Sequence, residues 1–509
     1  MFENQPKALY ALALANTGER FGYYTMIAVF SLFLRANFGL SGDTAGLIYG
    51  VFLALVYFLP LVGGIMADKF GYGKMVTIGI IVMFAGYLFL SIPLGGGVMG
   101  YAAMFGALLL VSLGTGLFKG NLQVMVGNLY DAPELSAKRD SGFSIFYMAI
   151  NIGALFAPTA AVRIKEWAEH ALGYSGNDAY HFSFAVACVS LIVSMMIYYA
   201  FRSTFKHVEA GAGKSKKTDT AGTEEELTPQ QTKERIVALC LVFAVVIFFW
   251  MSFHQNGLTL TFFADEFVSP KSEGVETMAF DVINLVMIIF MIYSLMSFFQ
   301  SKTSKAKLIS TVVFLAAVGV LVYKYHNIGG PVDVSAPIFQ QFNPFYVVAL
   351  TPVSMAIFGA LAAKGKEPTA PRKIAYGMII AGSAYLLMVL ASRGLLTPNE
   401  QDAAKAAGEM VPFASGNWLI GTYLILTFGE LLLSPMGISF VSKVAPPKYK
   451  GTMMGGWFVA TAIGNLLVSV GGFLWNDIPL TIVWSVFIVL CLLSAGFMFL
   501  MMKRLEKVA

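Results

Sequence analysis

Long apolar runs separated by short polar stretches organise almost the whole chain, and the runs are continuous rather than alternating. Fourteen of them fall near 8–34, 45–67, 74–94, 98–127, 141–163, 179–201, 236–263, 278–299, 308–325, 344–363, 372–393, 417–443, 452–475 and 478–503. Each can supply the roughly 20 apolar residues that a helix needs to cross a bilayer. A membrane barrel would show ten-residue alternations instead, so the pattern predicts an all-α integral membrane protein. The first run holds Glu19 and Arg20 mid-run and is followed by no small-residue cleavage site, so it reads as a span and not as a signal peptide. One substantial polar stretch, 204–234, separates six runs from eight. This predicts an N-terminal six-helix bundle over 1–203, a linker over 204–234 and a C-terminal bundle over 235–509. A faint repeat supports two halves: Gly64 to Lys69 and Gly359 to Lys364 end their spans on similar Gly-x-x-x-[Asp/Ala]-Lys patterns.

Composition narrows the class. Of 509 residues, 57% are hydrophobic and only 12% are charged, against roughly 25% charged in a soluble domain. An ordinary soluble enzyme and a disordered chain are thereby excluded. The formal charge of +5 is too small to suggest a nucleic-acid partner. Cys188, Cys240 and Cys491 lie in apolar runs without paired spacing, which supports neither a disulfide framework nor a metal site. The placement of the basic residues orients the chain. With a cytoplasmic N-terminus, 25 of the 34 Lys and Arg fall in inside segments and seven in outside ones, which predicts an inner-membrane protein with both termini and the linker in the cytoplasm. Within the linker, GAGKS (Gly211 to Ser215) approaches a phosphate-binding loop. Val208 stands where that loop needs glycine and no strand precedes it, so the stretch reads as a solvated tether and ATP-driven transport is not expected.

Four charges remain deep within the spans: Glu19, Arg20, Lys119 and Glu430. A charge at the bilayer centre costs on the order of 2.5–3.5 kcal/mol on insertion scales, so each calls for a partner or a function. Glu19, Arg20 and Lys119 could simply pair to hold helices together. The polar tips of Tyr23, Tyr24, Tyr57, Asn151, His254, Gln255, Asn256, Asn343 and Ser434 in the same runs favour a cavity instead. Its cations belong to the first half and Glu430 to the second. Arg20 can grip a carboxylate with both arms of its fork, Lys119 adds a point charge and Glu430 can receive an ammonium. A zwitterion such as an amino acid or short peptide fits that polarity, with tyrosines as amphipathic walls.

Six segments, in order, resemble the proton-dependent oligopeptide transporters of the major facilitator superfamily. NTGERFGYYTM (Asn16 to Met26) is similar to the family's first-helix ExxERFxYY, and GGIMADKFGYGK (Gly63 to Lys74) to the loop between its helices two and three. FYMAINIGALFAP (Phe146 to Pro158), QQFNPF (Gln340 to Phe345), GELLLSPMGISFVSKVAP (Gly429 to Pro446) and MMGGWF (Met453 to Phe458) resemble its helices five, eight, ten and eleven. The resemblance implies a major facilitator fold of 12 core transmembrane helices plus 2 additional helices, the extra pair at about 278–325. It implies that Arg20, Tyr24 and Lys119 hold a peptide C-terminus and that Asn151, Asn343 and Glu430 hold its N-terminus. Tyr23, Tyr57, Ser434 and Trp457 match cavity-wall positions, Trp457 being equally compatible with plain packing. Lys119 also matches a lysine that pairs with the motif's glutamates.

The chain departs from the family in three places. Asn16 replaces the motif's first Glu, His254 stands where bacterial relatives usually carry an acid facing the motif's Arg, and the extra helix pair follows the seventh helix instead of preceding it. Glu19, Arg20, Lys119 and His254 are therefore the expected proton-coupling and gating set, with His254 next to Arg20 and the group most able to titrate near neutrality. The expected function is proton-coupled import of di- or tripeptides by alternating access, as a monomer in lipid. A proton gradient serves as energy source and no cofactor is required. A transporter of another small solute (an anion or amino acid) or a proton-independent exchanger is the alternative within the class. Outside it, a subunit of a proton-pumping redox complex lacks cofactor ligands, and an enzyme lacks any metal spacing or nucleophile motif.

Overall fold

The computed structural model describes residues 5–136, 139–210, 227–446 and 449–508. The near-miss GAGKS, most of the predicted linker, and Lys138 and Lys448 lie outside the described residues. Fourteen long helices carry the architecture, labelled here in chain order: α1 Lys7–Phe38, α2 Gly42–Phe70, α3 Tyr72–Leu90, α4 Val98–Asn128, α5 Arg139–Leu172, α6 Tyr180–Ala200 and α7 Pro229–Phe253. After these come α8 Val282–Gln300, α9 Ser304–His326, α10 Phe342–Ala363, α11 Ala370–Ala391, α12 Asn417–Val444, α13 Lys450–Leu466 and α14 Leu480–Val508. Thirteen helical segments among the described residues are long and apolar enough to cross a bilayer. The remaining long helix, α1, has ample length at 32 residues, but Asn16, Thr17, Glu19 and Arg20 interrupt its apolar run. With the backbone hydrogen bonds closed inside each long helix, this build suits a medium that offers none.

The packing falls into two sets. In the first, α3 lies on α4, α2 on α4, and α1 on both α5 and α6. In the second, α11 packs against α12 and α14, while α7 is held by α13 and α14. The helices α8 and α9 lie against one another and join the rest chiefly through α10. Their lipid-facing character is visible in exposed Phe299, Leu308, Leu315 and Tyr323.

Two of the spans that the apolar runs predict as uninterrupted are broken. The span predicted over 236–263 stops at Phe253, passes through a 3-10 turn at His254–Gly257, and resumes as Thr259–Glu266. Gln255 stabilises that break. Its side-chain amide donates to the carbonyls of Met251 (3.1 Å) and Val468 (3.0 Å) and its oxygen accepts from Thr259 (2.8 Å). Gln255 is therefore a structural residue and not a cavity group: it satisfies backbone carbonyls that the turn leaves open. The tenth helix is likewise preceded by a 3-10 stretch, Ala336–Gln341, and α13 is followed by a short turn of helix, Ser469–Phe473.

Contacts between the two sets run along α2 with α13 and gather at one end of the molecule. There α2 meets the segment Ser469–Phe473, and α5 meets Ala336–Gln341. The approach is closest at glycines: a Cβ placed on Gly472 would lie 2.4 Å from the carbonyl oxygen of Gly42, and one on Gly46 would lie 3.0 Å from the Cα of Gly472. Beside this seam Arg35, near the end of α1, forms an ion pair with Glu266, 231 residues away. Trp475, fully buried, donates its indole N–H to both oxygens of the same carboxylate (3.3 and 3.1 Å). The Arg35 guanidinium also sits 4.6 Å over the ring of Phe262. Gln341 accepts from Thr159 (3.0 Å), and Gln340 donates to the carbonyl of Ala28 (3.1 Å), adding two further bridges between the sets. Removing the cation leaves Glu266 a partly buried, uncompensated carboxylate, a change that commonly costs several kcal/mol. Arg35→Ala is expected to shift this end towards open. Spin labels on Ala36→Cys and Lys405→Cys should then gain a longer distance component, and an unchanged distribution would show that the ion pair does not hold the seam.

Candidate functional site

The helical repeat brings Glu19, Arg20, Tyr23 and Tyr24 close together on α1, since residues three and four apart are neighbours on a helix surface. The adjacent pair interacts directly. Arg20 donates from Nε to one oxygen of Glu19 (2.5 Å) and from a terminal nitrogen to the other (2.6 Å), both side chains being almost wholly buried. The guanidinium carbon also lies 4.7 Å from the centre of the Tyr23 ring. Tyr23 is buried, with its ring edge-on to Tyr24 and stacked on Phe52 of α2, which fixes the wall of α1 against α2.

Lys119 of α4 does not share in the glutamate as the resemblance implies. The fork of Arg20 occupies both oxygens of Glu19, and the ammonium of Lys119 rests 4.2 Å from the centre of the half-buried Tyr57 ring. It stays within electrostatic range of both Glu19 and Arg20. A cation over an aromatic face keeps part of its stabilisation without a carboxylate. The first half thus presents one carboxylate, Glu19, and two basic side chains, Arg20 and Lys119.

His254 lies in the broken part of the seventh span. Its ring stacks on Trp250 (centroids 5.2 Å apart, 22° between planes) and lies 5.9 Å from the ring of Tyr57. The cation acting on it is Lys119, and not Arg20 as its sequence position suggests; Asn465 of α13 sits beside it. Asn16 is buried, and its side-chain Nδ2 has no hydrogen-bond partner among the described residues.

On the facing side, Glu430 of α12 is held by Asn343 at the start of α10. The Asn343 amide nitrogen donates to Glu430 (2.9 Å) and to Thr427 (3.0 Å), one turn earlier on α12. Glu430 has no cation within ion-pair distance among the described residues, unlike Glu19. It lies within electrostatic range of Tyr24, Tyr57 and Tyr147 of the other set, so the two walls address one another. Tyr24, Tyr57, Lys119, Asn343, Glu430 and Ser434 are all half-buried, as expected of groups that line an opening.

Asn151, expected at the peptide N-terminus, and Trp457, a candidate wall residue, already have partners within the protein. Asn151 spends its amide nitrogen on the carbonyl of Tyr147 in its own helix (3.0 Å), leaving its oxygen for the site. Trp457 is 3% exposed, lies across Gly437 of α12 and meets Phe243 edge-on, so its surroundings are those of a packing residue. Sequence reasoning missed Tyr147 and Thr427, which look like ordinary span residues until α5 and α12 are set opposite α1. It also missed Arg35 with Glu266, whose partnership spans 231 residues and leaves no local signal.

The comparisons with known proteins concern the family and the fold of the chain. The family described as the POT family matches residues 73–222 and 324–483. The chain is 29% identical to an uncharacterised transporter, YclF, of Bacillus subtilis, over 99% of this chain and 95% of that protein. It is 28% identical to a di-/tripeptide transporter of Lactococcus lactis subsp. cremoris (92% and 89% covered) and 26% identical to dipeptide and tripeptide permease B of Xenorhabdus bovienii (92% and 86%). A crystal structure of the peptide transporter POT in complex with sulfate superposes with a TM-score of 0.74, at 22% identity over 100% of this chain and 96% of that one. A POT family transporter solved in complex with 5-aminolevulinic acid gives 0.72 at 20% identity (100% and 98% covered). Both show the same fold, of major facilitator type. With the profile covering more than half of its length and the helices arranged as in those transporters, the chain belongs to the POT family.

Proposed function

We propose that the protein is a proton-coupled symporter that imports di- and tripeptides by alternating access of two helical halves, 1–203 and 235–509, in an inner membrane with both termini cytoplasmic. The observation that carries this reading is the opposed polarity of the site. Arg20 and Lys119 stand on one wall, and Glu430, positioned by Asn343 and with no cation within ion-pair distance among the described residues, stands within electrostatic range of the other. A peptide main chain ends in an ammonium and a carboxylate. Glu430 receives the first through charge-assisted hydrogen bonds, and Arg20 and Lys119 receive the second. Tyr24, Tyr57 and Tyr147 supply side walls that do not select a particular side chain. Relatives named as di- and tripeptide transporters, and one bound to 5-aminolevulinic acid, which also carries an amine and a carboxylate, support the same class.

The geometry suggests how a proton enters the cycle. In this structure Arg20 is engaged on Glu19 by both arms. A proton on Glu19 removes its charge and one acceptor, which releases the guanidinium for a substrate carboxylate. Substrate and proton then favour each other's binding, which is the requirement for symport. One chain supplies both walls, so a monomer suffices, and the proton gradient supplies the energy without a cofactor. His254, stacked on Trp250 and in range of Lys119, is the second candidate proton carrier. Asn16, an amide where the family motif has a carboxylate, favours the second reading, a peptide exchanger that runs without protons.

Labelled dialanine taken up by liposomes holding the purified protein tests both readings. Uptake is expected to rise with an inward proton gradient; no uptake in either condition sinks the peptide assignment, while uptake indifferent to the gradient leaves the exchanger. Glu430→Gln keeps the shape of the side chain but loses the charge, and should lower dialanine uptake roughly 10- to 100-fold, the range of one charged hydrogen bond. A dipeptide with an acetylated N-terminus should lose far less in the same variant. His254→Ala with an unchanged response to the gradient would remove His254 from the coupling path.

A further inference from the structure

A basic cleft lies far from the transport site, where the first turns of α7 meet the last turns of α14. It encloses about 510 Å³ and is lined by Lys233 and Glu234 of α7 and by Lys503, Arg504 and Lys507 of α14. Four cations therefore face one carboxylate. Glu234 accepts from Lys507 at 3.2 Å, an exposed pair of the weak kind, and Lys233, Lys503 and Arg504 have no ion-pair partner among the described residues.

Ordinary helix electrostatics explains only part of this. Lys503, Arg504 and Lys507 complement the negative C-terminal end of α14. Lys233 does not follow that rule, because it stands in the second turn of α7, at the positive end of a 25-residue helix. The cations of α14 are thus gathered around a helix N-terminus that already attracts anions. A neighbouring cleft at the same end of the molecule gives the contrast. There Arg372 is held by Glu506 at 2.6 Å and Lys373 pairs with Glu367, so the charge is largely neutralised within the protein.

We propose that the α7–α14 cleft binds a phosphate group, and that the phosphate is the headgroup of an anionic phospholipid in the adjoining leaflet. Lysines supply point charges and Arg504 a planar fork for phosphate oxygens, while the apolar stems of the same side chains lie along the acyl region. Basic clusters at the ends of membrane helices attract anionic lipid in this way. The inference does not depend on what is transported, and requires only that α7 and α14 cross the bilayer.

Native mass spectrometry of the protein released from nanodiscs of mixed phosphatidylglycerol and phosphatidylcholine tests it. The wild type is expected to retain phosphatidylglycerol in preference. Lys233→Ala/Lys503→Ala/Lys507→Ala should lower that retention about tenfold or more. Arginine at the same three positions should preserve it, which separates loss of charge from loss of fold. Lys364→Ala/Lys366→Ala, at the same end but beside the neutralised cleft, should leave it intact. Equal retention by the wild type and the triple alanine variant, or an equal loss in the Lys364/Lys366 variant, overturns the site. Displacement of the retained lipid by millimolar inorganic phosphate would overturn the lipid assignment in favour of a soluble anion.

Discussion

An ionised side chain inside a membrane must find either an opposite charge or a wet, polar surface, and the centre of this protein is arranged around that requirement. Glu19 and Arg20 meet it by closing on each other, almost wholly buried. Lys119 meets it with an aromatic face, and Glu430 with two neutral neighbours, Asn343 directly and Thr427 through it. The difference in partner quality is also a difference in availability. The adjacent pair is closed to a ligand until something removes one of its charges, whereas Glu430 has no cation within ion-pair distance among the described residues and faces the opposite wall. A pore that neutralised all four groups internally would be more stable and would have nothing with which to recognise a solute.

Much of this was legible in the sequence because membrane helices announce themselves by composition. The apolar runs placed the helices, and the survival of Glu19, Arg20, Lys119 and Glu430 within them marked the site without any knowledge of packing. What stayed hidden depends on neighbours distant in the chain. Arg20 and Lys119 compete for one carboxylate, and adjacency decided in favour of Arg20; no spacing rule shows that Tyr57 would take the lysine. The break at His254–Gly257 was invisible because the residues on both sides remain apolar, and it is held by Gln255 reaching to Val468. Read in isolation Gln255 looked like a cavity group, since a buried amide and a ligand-facing amide have the same sequence signature. Trp457 shows the same ambiguity, resolved by the glycine under its ring.

The departures from the family pattern concentrate where coupling is expected. Asn16 and His254 replace carboxylates, yet the surrounding scaffold is intact: Glu19 still meets Arg20, and Glu430 still meets Asn343. On the proposed reading, recognition of a doubly charged solute would rest on groups fixed by helix packing, and the handling of protons on a few exchangeable side chains. An ion pair lying further out, between Arg35 and Glu266, spans the two sets of helices where no deep acid is available at the seventh helix.

The seam of Gly42, Gly46 and Gly472 bears on how reversible such a molecule is. Surfaces that close by interlocking large side chains gain dispersion energy on contact and must give it back on parting, which makes the shut form a deep well. Here, at Gly42, Gly46 and Gly472, backbone meets backbone. Little side-chain area changes hands at these glycines, so opening there gives up little packing energy, and in the proposed cycle the modest binding energy of a solute and a proton would suffice to tip between shut and open forms. A smooth contact face, in other words, would let a weak fuel drive a large movement.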